Sequence, residues 1–205
     1  MKGFAGLILA GGLGRRMGGI DKGLVELGGQ TLVARTIAII KPQVERLAIN
    51  ANGDPQRFAQ FGLPVLADSV PGFAGPLAGI LAGLEWLERD MPQACFLVTV
   101  PCDTPFLPTD LVARLAQAAK DEGALLACAE SDHQLHPVIG LWPVGIAKAL
   151  RQALVGEDIR KIDRFTQRYR VAAADFPAKP IDPFLNVNTP DDIAKAEALL
   201  GSGAA

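Results

Sequence analysis

The glycine-rich stretch LAGGLGRRMGGIDK, residues 9–22, decides the fold because it follows directly on the apolar run Ala5–Leu9. The apolar run predicts a buried first strand. A glycine-rich loop after such a strand can turn its backbone N–H groups toward an anion without obstruction by side chains. Arg15, Arg16 and Lys22 add positive charge at the same place. The stretch therefore predicts a phosphate-binding loop at the carboxyl end of the first strand, where open α/β sheets bind ligands. A flexible turn is the alternative.

Two familiar phosphate loops do not fit this stretch. The dinucleotide fingerprint G-x-G-x-x-G, started at Gly12, reaches Met17 where it needs a third glycine. The P-loop pattern, started at Gly14, meets Ile20 where it needs lysine. The loop is thus of a third kind, with its lysine at the far end.

Composition limits the classes of protein that the chain can belong to. Its 205 residues are 49% hydrophobic and 20% charged, which suits one folded domain over residues 1–200 with a frayed tail at 201–205. A net charge of −2 argues against general binding of nucleic acid. No secretory signal precedes the first strand, and no apolar stretch reaches the ~18 residues of a membrane span. We therefore expect a cytoplasmic protein without nucleic-acid or membrane partners.

The cysteine pattern argues against both zinc and a disulfide framework. Cys95, Cys102 and Cys128 are odd in number and have no C-x-x-C spacing. All three lie in apolar runs, so we expect buried free thiols in a reducing compartment.

Helical and extended patterns alternate along most of the chain. This alternation predicts an α/β fold with a mostly parallel, twisted sheet and helices on both faces. Two extended runs, residues 124–129 and 138–142, are separated by polar residues and predict a small antiparallel excursion. The predicted strands of the parallel part are 5–9, 46–51, 64–67 and 95–100, and the main predicted helices are 31–41, 77–89, 109–120, 143–154 and the C-terminal helix from Thr189.

Polar side chains follow three of these predicted strands. Asn50, Asp68 and Asp103 each stand at or just beyond a strand end, so the parallel arrangement gathers them at one rim with the glycine-rich loop. Asp103 follows the most apolar strand and is a candidate Mg²⁺ ligand, since magnesium sites in phosphate chemistry use one or two carboxylates. A helix cap or turn is the alternative for Asp103. Asp68 is a candidate for metal or nucleoside binding, or a turn residue.

The remaining charged residues indicate a transfer reaction that needs no general base. Lys22 and Arg16 can neutralise charge on phosphate oxygens, which is the main catalytic requirement of such transfers. The only histidines, His133 and His136, cannot share a helix face because Pro137 follows. A phosphate monoester is largely a dianion at neutral pH, with a second pKa of about 6, so it needs no base to act as nucleophile. Nucleotidyl transfer onto a phosphate is compatible with this set.

Several segments together resemble a known family. LAGG (9–12), RMG (16–18) and DK (21–22) resemble the nucleotidyltransferases that activate sugar phosphates and cofactor precursors. A narrower resemblance, to the molybdenum cofactor guanylyltransferases, is carried by further segments in the family's order over nearly the whole chain. These are RRMGGIDKGL (15–24), Asp68 with GPLAG (75–79), PCDTPF (101–106), His136-Pro137 and NVNTP (186–190).

The resemblance implies a Rossmann-like nucleotidyltransferase fold and a reaction. GTP and molybdopterin cofactor would give the guanine dinucleotide form and pyrophosphate, with Mg²⁺ as cofactor and with transient contacts to molybdenum-insertion proteins or molybdoenzyme chaperones. Together with the charge argument above, this gives catalytic roles to Arg16, Lys22 and Asp103, and the resemblance implies that Asp103 is the metal ligand. It implies nucleotide contacts at Leu9, Ala10, Gly11, Gly12, Lys22, Asn50, Asp68 and Asp103, and a pterin side at Gly75, Pro76, His136, Asn186 and Asn188.

Three questions stay open at the sequence level. The segment SDHQLHP (131–137) is longer than the family's usual acid-His-Pro, so either His133 or His136 could face the pterin. A relative using CTP or a sugar phosphate acceptor is an alternative enzyme. A nucleotide-binding module without turnover is a third possibility, although simple binding does not require both Lys22 and Asp103.

Overall fold

A seven-stranded sheet organises the computed structural model, which describes residues 1–11, 21–72 and 75–201. The order of its strands is β5-β4-β1-β6-β8-β7-β9, and β2 and β3 form a separate two-stranded ribbon. The strands are β1 (Phe4–Leu9), β2 (Glu26–Leu27), β3 (Gln30–Thr31), β4 (Arg46–Asn50), β5 (Val65–Leu66), β6 (Phe96–Pro101), β7 (Leu126–Ser131), β8 (Gln134–Pro143) and β9 (Val171–Phe176).

The large sheet is parallel except at one strand. β1 pairs in parallel with β4 and β6, β4 with β5, and β7 with β9. β8 runs antiparallel to both of its neighbours, β6 and β7. The predicted mostly parallel sheet with an antiparallel excursion is therefore confirmed, and the carboxyl ends of β1, β4, β5 and β6 lie at one edge.

Helices cover both faces of this sheet, as predicted. They are α1 (Leu32–Ile40), α2 (Pro76–Asp90), α3 (Leu111–Glu122), α4 (Ala147–Gly156), α5 (Ile162–Thr166) and α6 (Pro190–Gly201). One core contains side chains of α1 and α3, and the other contains side chains of α2, α4 and α5. Neighbouring strand residues go to opposite cores, as Leu7 and Ile8 do, because side chains alternate along a strand.

Two glycines let α2 approach the sheet closely. A Cβ on Gly83 would lie 2.7 Å from Leu7 Cδ2 and 2.8 Å from Leu97 Cδ2. A Cβ on Gly79, one turn nearer the start of the helix, would lie 2.8 Å from Leu9 Cδ2. The first turns of α2 therefore lie directly against the carboxyl end of β1.

The β7–β8 hairpin is tighter than the sequence suggests. The polar residues 130–134 were expected to separate the two strands, yet only Asp132 and His133 form the turn. Both have positive φ, 47° and 61°, as two-residue hairpin turns of type I′ require. Ser131 belongs to the strand and is buried, and its hydroxyl has polar partners inside the protein that compensate for its burial.

The cysteines depart in part from expectation. Cys95 is exposed, since it stands just before β6, whereas Cys102 and Cys128 are buried and all three are free thiols. Burial raises the pKa of Cys102 to about 12 and that of Cys128 to about 11.

At the C-terminus, α6 includes Gly201, the first residue of the expected tail, while residues 202–205 lie outside the described part of the chain. Among the described helices, none has the length and apolar character needed to cross a bilayer.

Candidate active site

Lys22 and Asp103 meet at the predicted rim. Lys22 begins a short 3-10 helix, Lys22–Leu24, whose cap is Asp21; the Asp21 carboxylate accepts a hydrogen bond from the Gly23 amide at 3.1 Å. The Lys22 ammonium group donates to Asp103 Oδ2 and also to Asn188 Oδ1. Both charged side chains are largely shielded from solvent, at 15% and 18% exposure, so their attraction is stronger than that of a surface pair.

A late segment of the chain completes this group. The Val187 amide donates to the Asp103 carbonyl at 2.9 Å, and Thr104 Oγ1 donates to Asn186 Oδ1 at 3.1 Å. Asn186 and Asn188 thus reach the same rim, as their spacing of two suggested. Asp192, in the first turn of α6, accepts from the amides of Asn188 and Thr189 at 3.0 Å each.

These bonds, led by the one from the Asn188 amide, lower the pKa of Asp192. They fix the start of α6 beside the Lys22 ammonium group.

Asn50 and Asp68 form a second group at the ends of β4 and β5. Asn50 Nδ2 donates to Asp68 Oδ1 at 2.9 Å and to the Leu66 carbonyl at 3.0 Å. Asn52, which the sequence analysis did not single out, donates to Asp68 Oδ2 at 2.8 Å and accepts from the Asp68 amide at 2.9 Å. Two asparagine side chains therefore hold one carboxylate in a fixed orientation. The signal for Asn52 was its spacing of two from Asn50.

The backbone of the first loop residues bridges these two groups. The Ala10 amide donates to the Asn50 carbonyl at 2.9 Å, and the Cys102 amide donates to the Leu9 carbonyl at 3.1 Å. Gly11 is exposed beyond them, and a Cβ there would lie 3.9 Å from Asn50 Oδ1. Three further loop residues of the sequence analysis, Gly12, Arg15 and Arg16, lie outside the described residues.

A cavity of about 280 Å³ adjoins Asp103 on the side of the antiparallel strand. His136 and Asn186 line it, whereas His133 is exposed in the hairpin turn. Of the two histidines, His136 is therefore the one beside Asp103. The complete lining is Pro101, Asp103, Leu135, His136, Pro137, Val138, Ile139, Phe184 and Asn186.

Gly75 and Pro76 mark the start of α2 rather than this cavity. Pro76 occupies the first turn, where its fixed φ is favourable and its missing N–H costs nothing. Gly75 has a φ of 148°, which side-chain-bearing residues rarely adopt. The resemblance predicts that Gly75 lies on the pterin side, and a residue with a side chain would be strained at this φ.

One atom of Asp103 is available for a further ligand. Oδ2 pairs with Lys22, whereas Oδ1 is buried and has no hydrogen-bond partner among the described residues. A buried carboxylate oxygen without a partner is costly, so such an atom suits a hard cation. Within the described ranges no group of three or more His, Cys, Asp or Glu side chains is placed to hold a metal. The donor set therefore fits an ion that takes one carboxylate and completes its shell with phosphate and water oxygens.

Comparison with known proteins identifies the family. The sequence of residues 6–174 matches the family model of the MobA-like NTP transferase domain. The molybdenum cofactor guanylyltransferase of Bradyrhizobium sp. (strain ORS 278) is 57% identical over 194 residues, covering 95% of this chain and 92% of that protein. The same enzyme of Rhodopseudomonas palustris (strain BisB5) is 55% identical over 193 residues, covering 94% and 92%. This chain belongs to the molybdenum cofactor guanylyltransferase family. It is accordingly an enzyme, a nucleotidyltransferase, as the resemblance implied.

Solved structures agree with this family at the level of the fold. Molybdopterin-guanine dinucleotide biosynthesis protein A from Archaeoglobus fulgidus superposes with a TM-score of 0.76 at 24% identity, covering 97% of this chain and 99% of that one. The 4-diphosphocytidyl-2C-methyl-D-erythritol synthase of Anaerococcus prevotii superposes with a TM-score of 0.74 at 13% identity, covering 97% and 96%. The predicted Rossmann-like nucleotidyltransferase fold is thereby confirmed.

Several residues of the site escaped the sequence analysis. Thr104 and Gly79 lie inside the quoted family segments, but neither residue is charged, so nothing drew attention to them. Ser131 and Asp182 are 51 positions apart, and no spacing rule connects them. Arg57 pairs with Asp21 at 2.6 Å, a contact between a short helix after β4 and the residue before Lys22.

Proposed function

We propose that this guanylyltransferase transfers GMP from GTP to the terminal phosphate of molybdenum–molybdopterin cofactor, with the Lys22–Asp103 pair at the point of transfer. The products are the guanine dinucleotide form of the cofactor and pyrophosphate. The observation that carries the assignment of the site is the meeting of Lys22, Asp103 and Asn188 at the rim beside a cavity. That geometry suits a reaction whose substrates are both phosphates.

The proposed chemistry is a direct displacement at phosphorus. A terminal phosphate oxygen of the pterin forms a bond to the α-phosphorus of GTP. The bond from that phosphorus to the oxygen bridging the β-phosphate breaks, and pyrophosphate leaves with the electron pair. Lys22 places a positive charge where the transferring group gains negative charge. Arg16 is proposed to do the same from the glycine-rich loop. No residue has to remove a proton, because the attacking phosphate is already ionised.

Asp103 is the proposed ligand of a divalent metal, which we take to be Mg²⁺. Its Oδ1 atom is buried and has no hydrogen-bond partner within residues 1–11, 21–72 and 75–201, and its Oδ2 atom is held by Lys22. When bound, the ion would neutralise charge on the phosphate oxygens of GTP. Lys22 orients the carboxylate, so that one oxygen remains directed away from the ammonium group.

The two remaining parts of the rim are assigned to the two substrates. We place the nucleoside of GTP at Asn50 and Asp68, because their fixed carboxylate and amide can read hydrogen-bond donors. Leu9, Ala10, Gly11 and Gly12 would supply backbone contacts to the triphosphate. The pterin is placed in the cavity lined by His136 and Asn186. Asn188 borders this side in the proposal, whereas Gly75 and Pro76, at the start of α2, remain pterin-side predictions from the resemblance.

The test is a reaction with purified protein, GTP, Mg²⁺ and molybdopterin cofactor. We expect stoichiometric release of pyrophosphate and formation of a guanylylated pterin, detected by mass spectrometry. CTP and ATP serve as competing nucleotides, and neither should support turnover at the rate of GTP. Turnover with CTP in preference to GTP would contradict the assignment, as would GTP binding with no pyrophosphate release in the presence of the pterin.

Two further parts of the proposal concern the cellular compartment and the protein partners. Three free thiols support a location in a reducing compartment, which we take to be the cytoplasm. Transient contacts with molybdenum-insertion proteins or molybdoenzyme chaperones remain predictions from the family resemblance.

A further inference from the structure

A buried hydroxyl connects a carboxylate with the imidazole of the cavity. Ser131, at the end of β7, is only 1% exposed. Its Oγ lies 2.9 Å from Asp182 Oδ1 and 2.9 Å from His136 Nε2. A serine hydroxyl has one proton to donate, so it cannot donate to both neighbours.

The chemistry of the three groups fixes the direction of both hydrogen bonds. An ionised carboxylate only accepts, so the Ser131 proton goes to Asp182. Ser131 Oγ must then accept from His136, which requires the proton of the neutral imidazole to be on Nε2. Nδ1 of His136 is left without a proton and becomes an acceptor.

This order differs from that of a catalytic serine triad. In such a triad the serine gives its proton to histidine, and the carboxylate holds the other ring nitrogen. Here the serine lies between the other two groups and gives its proton to the carboxylate. Ser131 is therefore not activated as a nucleophile, and the chain of bonds acts on the orientation and the tautomer of His136.

Aromatic packing restricts the same ring. The centroid of the His136 ring lies 4.8 Å from that of Phe184, which is itself 2% exposed and packs edge-on against Phe176 at 5.1 Å. Asp182 Oδ1 also accepts from the Phe184 amide at 3.0 Å. Asp182 Oδ1 thus accepts from both the Ser131 hydroxyl, which orients the imidazole, and the amide of Phe184, whose ring packs against that imidazole.

Burial favours the neutral form of this imidazole. It lowers the pKa of His136, although the negative charge of Asp182 acts in the opposite direction. A neutral imidazole has two tautomers, and the choice between them decides whether Nδ1 donates or accepts.

We propose that Asp182 and Ser131 are positioning residues that hold His136 as the Nε2–H tautomer, so that Nδ1 accepts a hydrogen bond from an N–H group of the pterin. The inference rests on the proposed function, since it takes the cavity beside Asp103 as the pterin site. A pterin ring carries an exocyclic amino group and ring N–H groups, and a bare imidazole nitrogen recognises such donors. His133, exposed in the hairpin turn, has no part in this recognition.

The tautomer can be measured directly because the chain has only two histidines. Two-dimensional ¹⁵N NMR of the imidazole nitrogens at pH 7.5 distinguishes Nε2–H from Nδ1–H. His133→Gln removes one of the two signal sets and assigns the other to His136. We expect a single Nε2–H species for His136 in the wild type and in His133→Gln. A mixture of tautomers, or Nδ1–H, in the wild type would overturn the proposal.

Two variants then test the positioning role. Ser131→Ala removes the hydroxyl, and Asp182→Asn keeps the shape of the side chain but adds an amide donor that can reverse the direction of the bonds. In both we expect loss of the single Nε2–H species and an increase of about three- to tenfold in KM for the pterin, the worth of one hydrogen bond. KM for GTP should stay within twofold, and His133→Gln should change neither constant.

The outcomes separate this inference from the proposed function. Unchanged tautomer and unchanged pterin KM in Ser131→Ala would refute the positioning role. Equal increases in both KM values would indicate a merely structural role and also refute it. If the wild type failed to turn over GTP with the pterin, the proposed function would fail, while the NMR measurement would still decide whether Asp182 and Ser131 fix the tautomer.

Discussion

The two halves of the rim are built in different ways. On the parallel half, the ends of β4, β5 and β6 present Asn50, Asp68 and Asp103, and one buried oxygen of Asp103 has no hydrogen-bond partner among the described residues. On the antiparallel half, His136 of β8 has its Nε2 atom engaged by Ser131, which Asp182 holds in turn. The parallel half leaves a carboxylate oxygen of Asp103 available to a cation. The antiparallel half holds the neutral imidazole of His136 in one tautomer.

β8 is what joins the two halves. It runs against β6, and the buried Thr99 of β6 holds it in register: Thr99 Oγ1 donates to the Val138 carbonyl at 2.7 Å and accepts from Trp142 Nε1 at 2.9 Å. This register places His136 in the same cavity lining as Asp103. A reversed strand next to the central parallel strands is therefore the feature that brings the cavity lined by His136 to Asp103.

The largest effect is expected at the open position of the parallel half. In Asp103→Asn, the oxygen that fits a cation loses its charge and Lys22 loses its ionic partner. We expect the rate of pyrophosphate release to fall by at least about 100-fold, in line with the loss of one preorganised electrostatic contact. Equilibrium binding of Mn²⁺ as a spectroscopic probe should weaken in parallel.

The matched control for that variant is Asp110→Asn. Asp110 is exposed before α3, makes no side-chain cap bond and does not line the cavity beside Asp103. It should retain wild-type turnover and Mn²⁺ binding. Wild-type turnover in Asp103→Asn would show that the open oxygen of the parallel half is not a ligand position.

The second prediction concerns the tight packing behind Asn50. In Gly79→Ala, the new Cβ would overlap Oδ1 of Asn50. The Asn50 side chain cannot easily move away, because its Nδ2 atom donates to Asp68 Oδ1 and to the Leu66 carbonyl. We expect a loss of about 1–3 kcal/mol in the free energy of unfolding from overpacking, together with an increased KM for GTP. Gly145→Ala adds the same methyl group where nothing lies within 4 Å. That control should change neither quantity, and equal effects in both variants would contradict the packing argument.

The third prediction tests the contact of Thr99 with β8, the strand that links the two halves of the rim. Thr99→Val keeps the shape of the side chain but leaves Trp142 Nε1 without its acceptor in a buried site. We expect a loss of about 1–3 kcal/mol in the free energy of unfolding, measured by urea denaturation. KM for the pterin should rise more than KM for GTP, because the register of β8 positions His136. Thr109→Val, at an exposed position, is the control, and a selective rise in KM for GTP would argue against this account of β8.

The sequence predicted the parallel half well and the antiparallel half poorly, for a physical reason. Parallel strands alternate with helices, so apolar periodicity locates them, and their carboxyl ends meet at one edge. Asn50, Asp68 and Asp103 followed from that rule. The partners of His136 come from the end of β7 and from the loop before Phe184, and only the folded chain brings them together.

The choice between His133 and His136 shows the same limit. It depended on which polar residues form the hairpin turn. The sequence allowed five, whereas the pairing of Ser131 with Gln134 reduces the turn to Asp132 and His133. The roles of Arg16 and Gly12, which lie outside the described residues, remain predictions from the resemblance.

The smallest expected effect is a shift in the titration of His136. Burial lowers its pKa, so its imidazole should take up a proton at a lower pH than the ordinary histidine value of about 6.5. Because the unfolded chain binds that proton first, the stability of the folded state should decline as the pH falls through 6.5 and level off below the folded-state pKa. An NMR titration of the imidazole signals, with His133→Gln to assign them, gives the midpoint. A His136 midpoint above 6.5 would mean that the charge of Asp182 outweighs desolvation. Only a midpoint above about 7 would make the imidazolium the major form at neutral pH.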